Sequence, residues 1–365
     1  MVLSAREFSP TGAEDWENWG QFVEEQCQIG FKRFEQFMFQ FALLRPHPAE
    51  PVKELPLRPS LYEMWFPWWH KLLATAMLAL FGRNTFMKTT KALTPVLKPR
   101  ADQHDFGVPF QLNSTSALFQ EGDPVNMKST LKKCKEESVS FTGALVATVV
   151  AAYYHASKVQ GNPEPEGNFK LSTELNYNMR QRVAHPAEET QVGLYVAIAG
   201  CPFLGAEGVD MKITKFWDLA RRAREEIVKH AKKPVLMGMP LFMMDQKPHM
   251  EAAGQFLGDY KVKNSVSGDV NISSVGRYMY KQEHALANNR VLTVENMHIF
   301  AAVPHIGTSV TLWASSMNAF NYSIGHKCND EVGKALFEAY VAVCESTSLI
   351  EADDTMLDVL KRLDL

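Results

Sequence analysis

The sequence is poor in the features that place a protein quickly, and each shortage excludes something. No apolar run approaches the roughly 20 residues that a membrane-spanning helix needs. The most apolar segment is Trp65 to Phe81, and its uncharged part covers only Leu72 to Phe81. It reads as a buried helix, with an interfacial helix anchored by its tryptophans as the alternative. Peripheral membrane contact through residues 65–81 therefore stands as an expectation. Neither charge sign dominates: 38 Lys and Arg stand against 41 Asp and Glu, a net charge of -3. With no basic stripe, a nucleic-acid partner has no electrostatic support. The five cysteines, Cys27, Cys134, Cys201, Cys328 and Cys344, form no CxxC pair. That excludes a zinc site and a disulfide frame and suits reduced, packed thiols. No metal site is expected. The first residues lack the basic start and apolar core of a signal peptide, so the expected location is cytoplasmic and the sequons at Asn113, Asn271 and Asn321 carry no weight.

What is present is an ordinary globular composition, 46% hydrophobic and 22% charged over 365 residues, enough for two domains or one two-lobed one. Residues 15–43 place Trp16, Trp19, Phe22, Val23, Cys27, Phe31, Phe34, Phe37, Met38 and Phe41 at helical spacing, predicting a long helix with an aromatic face. Such a face needs cover, so self-association is expected where it is left bare. Five prolines between residues 45 and 60 mark a crossing linker. Asp123 and Pro124 start a helix that runs to about Ser138. Ser140 opens another, Phe141 to Lys158, apolar on nearly every side and therefore central. Strands are expected at Phe169 to Tyr177 and Gly193 to Ala199, and helices at Thr214 to Ala231, from Asp330 to Cys344 and from Thr355. Pro234 to Asp245, rich in Met and Pro, suggests an adaptable wall.

The stretch that organises these elements is Asp269 to Tyr280, Asp-Val-Asn-Ile-Ser-Ser-Val-Gly-Arg-Tyr-Met-Tyr. It predicts a buried strand interrupted by a Ser-Ser-x-Gly bend, where Gly276 supplies conformational freedom. Three β-rich runs follow, Val291 to Val303, Thr308 to Ser316 and Ala319 to Ile324, and predict a meander that completes a core sheet.

Three segments in this order carry a family resemblance over about two thirds of the chain. Lys132 to Tyr154 is similar to a helix, a short Val-Ser step and a long Ala-rich helix; Leu175 to Pro186 is similar to a strand ending in Asn-x-Arg-x-Arg; Asp269 to Tyr280 is similar to a Ser-Asn-x-Gly-Arg segment, with Ser274 where Asn is common. Together they resemble the C-terminal half of the coenzyme-A-dependent acyltransferase superfamily, which includes alcohol acetyltransferases, wax-ester synthases and condensation domains. The resemblance implies an α/β (α+β) fold, a chloramphenicol-acetyltransferase-like lobe with a mixed sheet covered by helices. It divides the chain into a helical and proline-rich linker region (1–112), the acyltransferase-like lobe (113–350) and a terminal tail helix (351–365).

The family's general base is the histidine of a His-His-x-x-x-Asp-Gly motif, a group whose pKa suits proton transfer from an alcohol or amine. Here none of the 11 histidines is adjacent to another, so no catalytic residue is assigned. The expectation is the C-terminal portion of an acyltransferase, inactive by itself, lacking the lobe that carries the base. No bound cofactor is expected; acyl-CoA or another acyl thioester is the implied co-substrate, and a small alcohol or amine the acceptor. Ser273, Ser274 and Gly276 are assigned to the wall of a substrate tunnel or inter-lobe site, and Asn178, Arg180 and Arg182 to a structural arginine segment that in the family pairs with the aspartate of the missing motif. Solvated arginines at a surface strand end are the plain alternative. A different class of function remains open, a non-catalytic relative that binds a hydrophobic ligand or a protein partner. Three motifs are set aside: His326 to Asp330 satisfies His-x-x-x-Asp but sits at a helix start, where Asn329 or Asp330 serves as a cap; Asp105-Phe-Gly107 lacks kinase partners; and Ser129 to Lys132 matches Ser-x-x-Lys on a solvated helix face.

Overall fold

A computed structural model describes residues 93–100, 115–182, 195–232, 268–285, 289–303 and 307–365, together with Leu72 and Ala76. The expectations for residues 15–43, 45–60, 65–81 (apart from those two positions) and 234–245 lie outside the described residues, as does Asp105-Phe-Gly107.

Strand β1 (Ser116–Glu121) leads into helix α1 (Pro124–Glu136), capped by the Asp123 carboxylate, which accepts from the amides of Val125 and Asn126. Helix α2 (Phe141–Val159) follows, capped by Ser140. Strands β2 (Thr173–Asn178) and β3 (Val196–Ala199), the short helix α3 (Pro202–Ala206) and the amphipathic helix α4 (Phe216–Ala231) come next. The chain then forms β4 (Gly268–Arg277), a hairpin of β5 (Glu283–Ala285) and β6 (Val291–Thr293), β7 (Thr308–Ser316) and β8 (Phe320–His326). Helix α5 (Asp330–Glu345) and the terminal helix α6 (Met356–Arg362), closed by a Thr355–Asp358 capping box, complete it. The helix starts fall within two residues of where caps and prolines place them.

The fold is mixed α/β, with six strands in the order β1-β8-β7-β4-β2-β3. Strands β2, β4 and β7 run parallel, and the three remaining pairings are antiparallel. The meander expected after β4 is not formed. Only β7 and β8 join the core sheet; β5 and β6 stand apart as a two-stranded hairpin. Residues beyond Thr293, expected to continue a strand to Val303, leave the ladder because side chains of the sheet bind their carbonyls.

Alternation gives the sheet two faces. On one, Val270, Ile272, Val310, Leu312 and Ile324 are fully buried. Helix α2 covers this face, flanked by α4 and α5, with Tyr153 donating to the carbonyl of Asp269 at 2.8 Å. Helix α6 joins the same core through Met356, Val359 and Leu360. The other face carries Asn271, Ser273, Thr311, Trp313, Ser315, Asn321 and Ser323. Residues 297–303 cross it as a strap. Ser315 Oγ donates to Met297 O at 2.5 Å, Ser323 Oγ to Ile299 O at 2.7 Å and Thr311 Oγ1 to Ala301 O at 3.5 Å. The Val303 amide donates to Thr115 Oγ1 at 3.1 Å. Every second residue of the strap is held, which is the period of an extended chain. His298 and Phe300 pack on Phe119 of β1, at 5.6 and 5.8 Å between centroids.

Asp269 ties the start of β4 to two distant segments. One carboxylate oxygen accepts from the Val96 amide at 2.7 Å and the other from the Ser172 amide at 2.8 Å. Burial raises its pKa against the lowering effect of these two amides. Among the described residues Cys134, Cys201, Cys328 and Cys344 are buried free thiols; burial pushes Cys134 up to about 11 and Cys201 and Cys328 up to about 12. They are packing groups, unreactive near neutral pH. Among the described residues no single helix is long and apolar enough to cross a membrane.

Candidate functional site

Strands β2, β4 and β7 end at the same edge of the sheet, because all three run the same way. In open α/β sheets the carboxyl edge of parallel strands is where ligands bind. It is also where the sequence motifs arrive. Strand β4 enters this edge buried as far as Ser273, is half-buried at Ser274 and exposed from Val275 to Arg277. Its register with β7 slips between Ser274 and Gly276: Ser274 opposes Ala314, Gly276 opposes Ser315, and Val275 is the extra residue. The bend read from Ser-Ser-x-Gly is therefore a β-bulge, which re-aims side chains near functional edges. Gly276 has φ of +88°, and the position of a Cβ there has no atom within 4 Å. The backbone conformation, and not crowding, selects glycine.

The second motif ends β2 at the same edge. Asn178 Oδ1 accepts from the Arg180 amide at 3.0 Å, and the Arg182 amide donates to Met179 O at 2.9 Å. These bonds turn the chain directly after Asn178, so Arg180 and Arg182 are not alternate residues of a strand. Arg180 is half-buried with its guanidinium 4.8 Å from the Tyr195 ring centroid; Arg182 is exposed and donates to the carbonyl of Asn178 at 2.8 Å. Pairing between β2 and β4 stops at Leu175 and Ile272, while β4 and β7 stay paired to Arg277 and Ser316. The structure thus brings Asn178, Arg180, Arg182, Ser273, Ser274 and Gly276 to one edge, with a gap in the ladder between the two motifs. Inside the gap's mouth a polar cluster joins the strands, Asn176 Nδ2 donating to Asn271 Oδ1 at 2.8 Å.

The histidine decoy lies at the opposite edge. His326 ends β8 beside Val310, near the start of β7. It is 1% exposed, and burial pushes its pKa down to about 4. Helix α5 passes so close that a Cβ at Gly333 would stand 2.1 Å from His326 Cε1. Asp330, the aspartate of this His-x-x-x-Asp, is held by Arg100 Nη1 at 2.8 Å and Ser116 Oγ at 3.0 Å, and Asn329 caps α5 through the Glu331 amide. A histidine so enclosed packs a helix onto a strand and cannot reach a substrate. Ser129 and Lys132 lie on α1, where Lys132 is exposed and paired with Glu136 at 3.8 Å.

Two residues at the carboxyl edge escaped the sequence reading. Trp313 and Asn321 occupy the polar face of β7 and β8, and their polar atoms Nε1, Nδ2 and Oδ1 are buried without a hydrogen-bond partner among the described residues. The available signal was a tryptophan and an asparagine on the polar phase of strands whose other phase is centred on Val310, Leu312 and Ile324.

No family model matches the sequence, and no curated protein matches it. Solved structures do resemble it. TRI3 trichothecene 15-O-acetyltransferase from Fusarium sporotrichioides is 12% identical with a TM-score of 0.49, the match covering 78% of this chain and 53% of that one. The X-domain from teicoplanin biosynthesis is 11% identical at a TM-score of 0.47, covering 80% and 60%. The wax ester synthase/diacylglycerol acyltransferase from Marinobacter aquaeolei is 10% identical at a TM-score of 0.42, covering 82% and 59%. The chain spans between half and three fifths of the length of these structures.

Proposed function

We propose that this chain forms one wall of an acyl-transfer site that moves an acyl group from a thioester, acyl-CoA or a carrier-bound equivalent, to a small alcohol or amine. The observation that carries the reading is the convergence of two separate family-like motifs. The Ser273-Ser274-Val275-Gly276-Arg277 bulge and the Asn178-Met179-Arg180-Gln181-Arg182 turn lie 90 or more residues apart in sequence, yet both meet at the carboxyl edge of adjacent parallel strands.

The wall supplies shape and hydrogen bonds; proton transfer needs a base that these residues do not provide. His326 is excluded by its burial and lowered pKa. In this reading a histidine from a second lobe takes the acceptor's proton as the acceptor oxygen or nitrogen attacks the thioester carbonyl, and the thiolate leaves. Arg180 and Arg182, at the rim, would anchor that lobe. The test is thiol release from acetyl-CoA and longer acyl-CoAs in the presence of alcohols and amines. No turnover is expected from the chain alone, and turnover on adding a polypeptide with a His-His-x-x-x-Asp motif found upstream in the same transcript. Turnover by the chain alone would overturn this assignment of roles.

A second reading has its own observation. Val275, Met279, Tyr280, Val291 and Leu292, on the end of β4 and the segment and hairpin that follow it, are between 41% and 79% exposed. This exposure favours a binding protein with a hydrophobic ligand or protein partner, self-association included. Binding without acyl transfer, even with the second lobe present, would select it.

A further inference from the structure

We infer that Asn321 and Trp313 form a subsite for an uncharged amide group of a ligand. The two residues are diagonal neighbours on β7 and β8, since Trp313 opposes Ser323 and Ser315 opposes Asn321. Asn321 is 1% exposed, and neither atom of its amide has a partner among the described residues. The indole Nε1 of Trp313 is equally hidden and equally unpartnered. Buried polar groups are normally satisfied, so three orphans on two adjacent side chains call for an absent partner.

The surroundings specify its chemistry. Neighbouring Ser315 and Ser323 are already committed to Met297 O and Ile299 O. What remains unmet is two kinds of donor, Trp313 Nε1–H and Asn321 Nδ2–H, and the acceptor Asn321 Oδ1. A carboxylate would meet the donors and leave Oδ1 unmet; an ammonium would do the reverse. A primary amide meets all three, its carbonyl accepting from both donors and the N–H on the same side as that carbonyl donating to Oδ1. Charge points the same way: Glu121 directly opposes Asn321 on β1, its carboxylate held by Asn296 at 2.9 Å, which disfavours an anion. The row runs from Asn321 to the exposed bulge of β4. Gly276, Ser315, Asn321 and Glu121 stand abreast on four strands, and the space where Gly276 would carry a Cβ is open. The subsite rests on these groups alone and holds whether or not the chain transfers acyl groups.

The experiment uses the full chain, with side-chain amide and indole signals assigned by NMR through Asn321→Leu and Trp313→Phe, and acetamide as the probe. Saturable shifts of the Trp313 indole and Asn321 amide signals are expected with acetamide and not with acetate or methylammonium. Trp313→Phe should weaken binding about tenfold, the equivalent of one hydrogen bond. Asn321→Leu should abolish binding while raising the thermal midpoint, because it removes two unmet polar atoms at similar volume. Equal shifts with acetate, no saturable shift, or a long-lived water on the indole proton that the amide fails to displace would overturn the proposal. So would a lowered midpoint in Asn321→Leu, which would reveal a structural partner for that side chain.

Discussion

The two faces of the sheet are buried to nearly the same degree by opposite means. On the helix side, Val270, Ile272, Val310, Leu312 and Ile324 exclude water by close packing against α2 and its neighbours. On the strap side, Asn271, Ser273, Thr311, Ser315, Asn321 and Ser323 are also at or below 9% exposure, and their cover is attached by named hydrogen bonds to backbone carbonyls. Packing is non-directional and scales with area; the strap's bonds are local and each is worth little net. The first face therefore sets the stability of the fold. The second face is where a polar group can be replaced, or a ligand admitted, at small cost to it.

That contrast can be broken experimentally. The largest effect is expected for Leu312→Ala, which opens a cavity on the packed face and should cost about 3 kcal/mol in urea unfolding. A loss below about 1 kcal/mol would mean that the helices settle into the gap, and that this face is less rigid than its burial implies. Acid comes next, because each face has a histidine held neutral. Burial lowers both His326, under α5, and His298, in the strap, to about 4, from about 6.5 in an unfolded chain. Their contribution is complete above the unfolded value and is lost as pH falls from about 6.5 towards 4. Unfolding at pH 5 should be easier than at pH 7 by about 2 kcal/mol per histidine. Asp269 acts in the opposite sense: its raised pKa makes protonation favour the folded state as pH falls through that value. A flat profile between pH 7 and 5 would mean that water reaches both rings in the folded protein. The smallest effect is expected for Ser323→Ala, about 1 kcal/mol for one neutral hydrogen bond, with amide exchange in residues 297–301 accelerated. If Ser323→Ala rivalled Leu312→Ala, the strap would be as integral to stability as the core, and the distinction between the faces would fall.

The helices were legible in the sequence because their signals are local. Asp123 with Pro124 and Ser140 mark starts that the backbone honours, and the terminal helix begins at Thr355 as expected, with Thr355 as its cap. Strand β7 was legible for the same reason, a β-rich run between turn residues. Strand β1 was missed: Ser-Ala-Leu-Phe-Gln-Glu is neither strongly β-branched nor set between clear turns. Residues 294–303 show the converse failure. They have strand-like composition, yet the hydroxyls of Thr311, Ser315 and Ser323 take the carbonyls that a ladder would have used. Strand order was out of reach, since periodicity says which residues share a face and nothing about which strands are neighbours. At the candidate site, Gly276 betrayed the bulge because only glycine accommodates its φ readily. Asn321 and Trp313 gave no such sign, as a polar residue in an alternating strand reads as solvent-facing until something is seen to cover it.

Strand β1 carries one more consequence. Among the described residues it is an edge strand paired with β8 alone, and the hydroxyl of its first residue, Ser116, is bound to Asp330, 214 residues farther along. A ribosome adding 5–20 residues per second needs about 10–40 s to cover that distance. Throughout that interval the nascent strand has no native partner, and neither does the face of α2 that α5 will cover. A chain built this way depends on what meets it as it emerges, so its yield in a cell should respond to chaperone supply and synthesis rate more than its final stability would suggest.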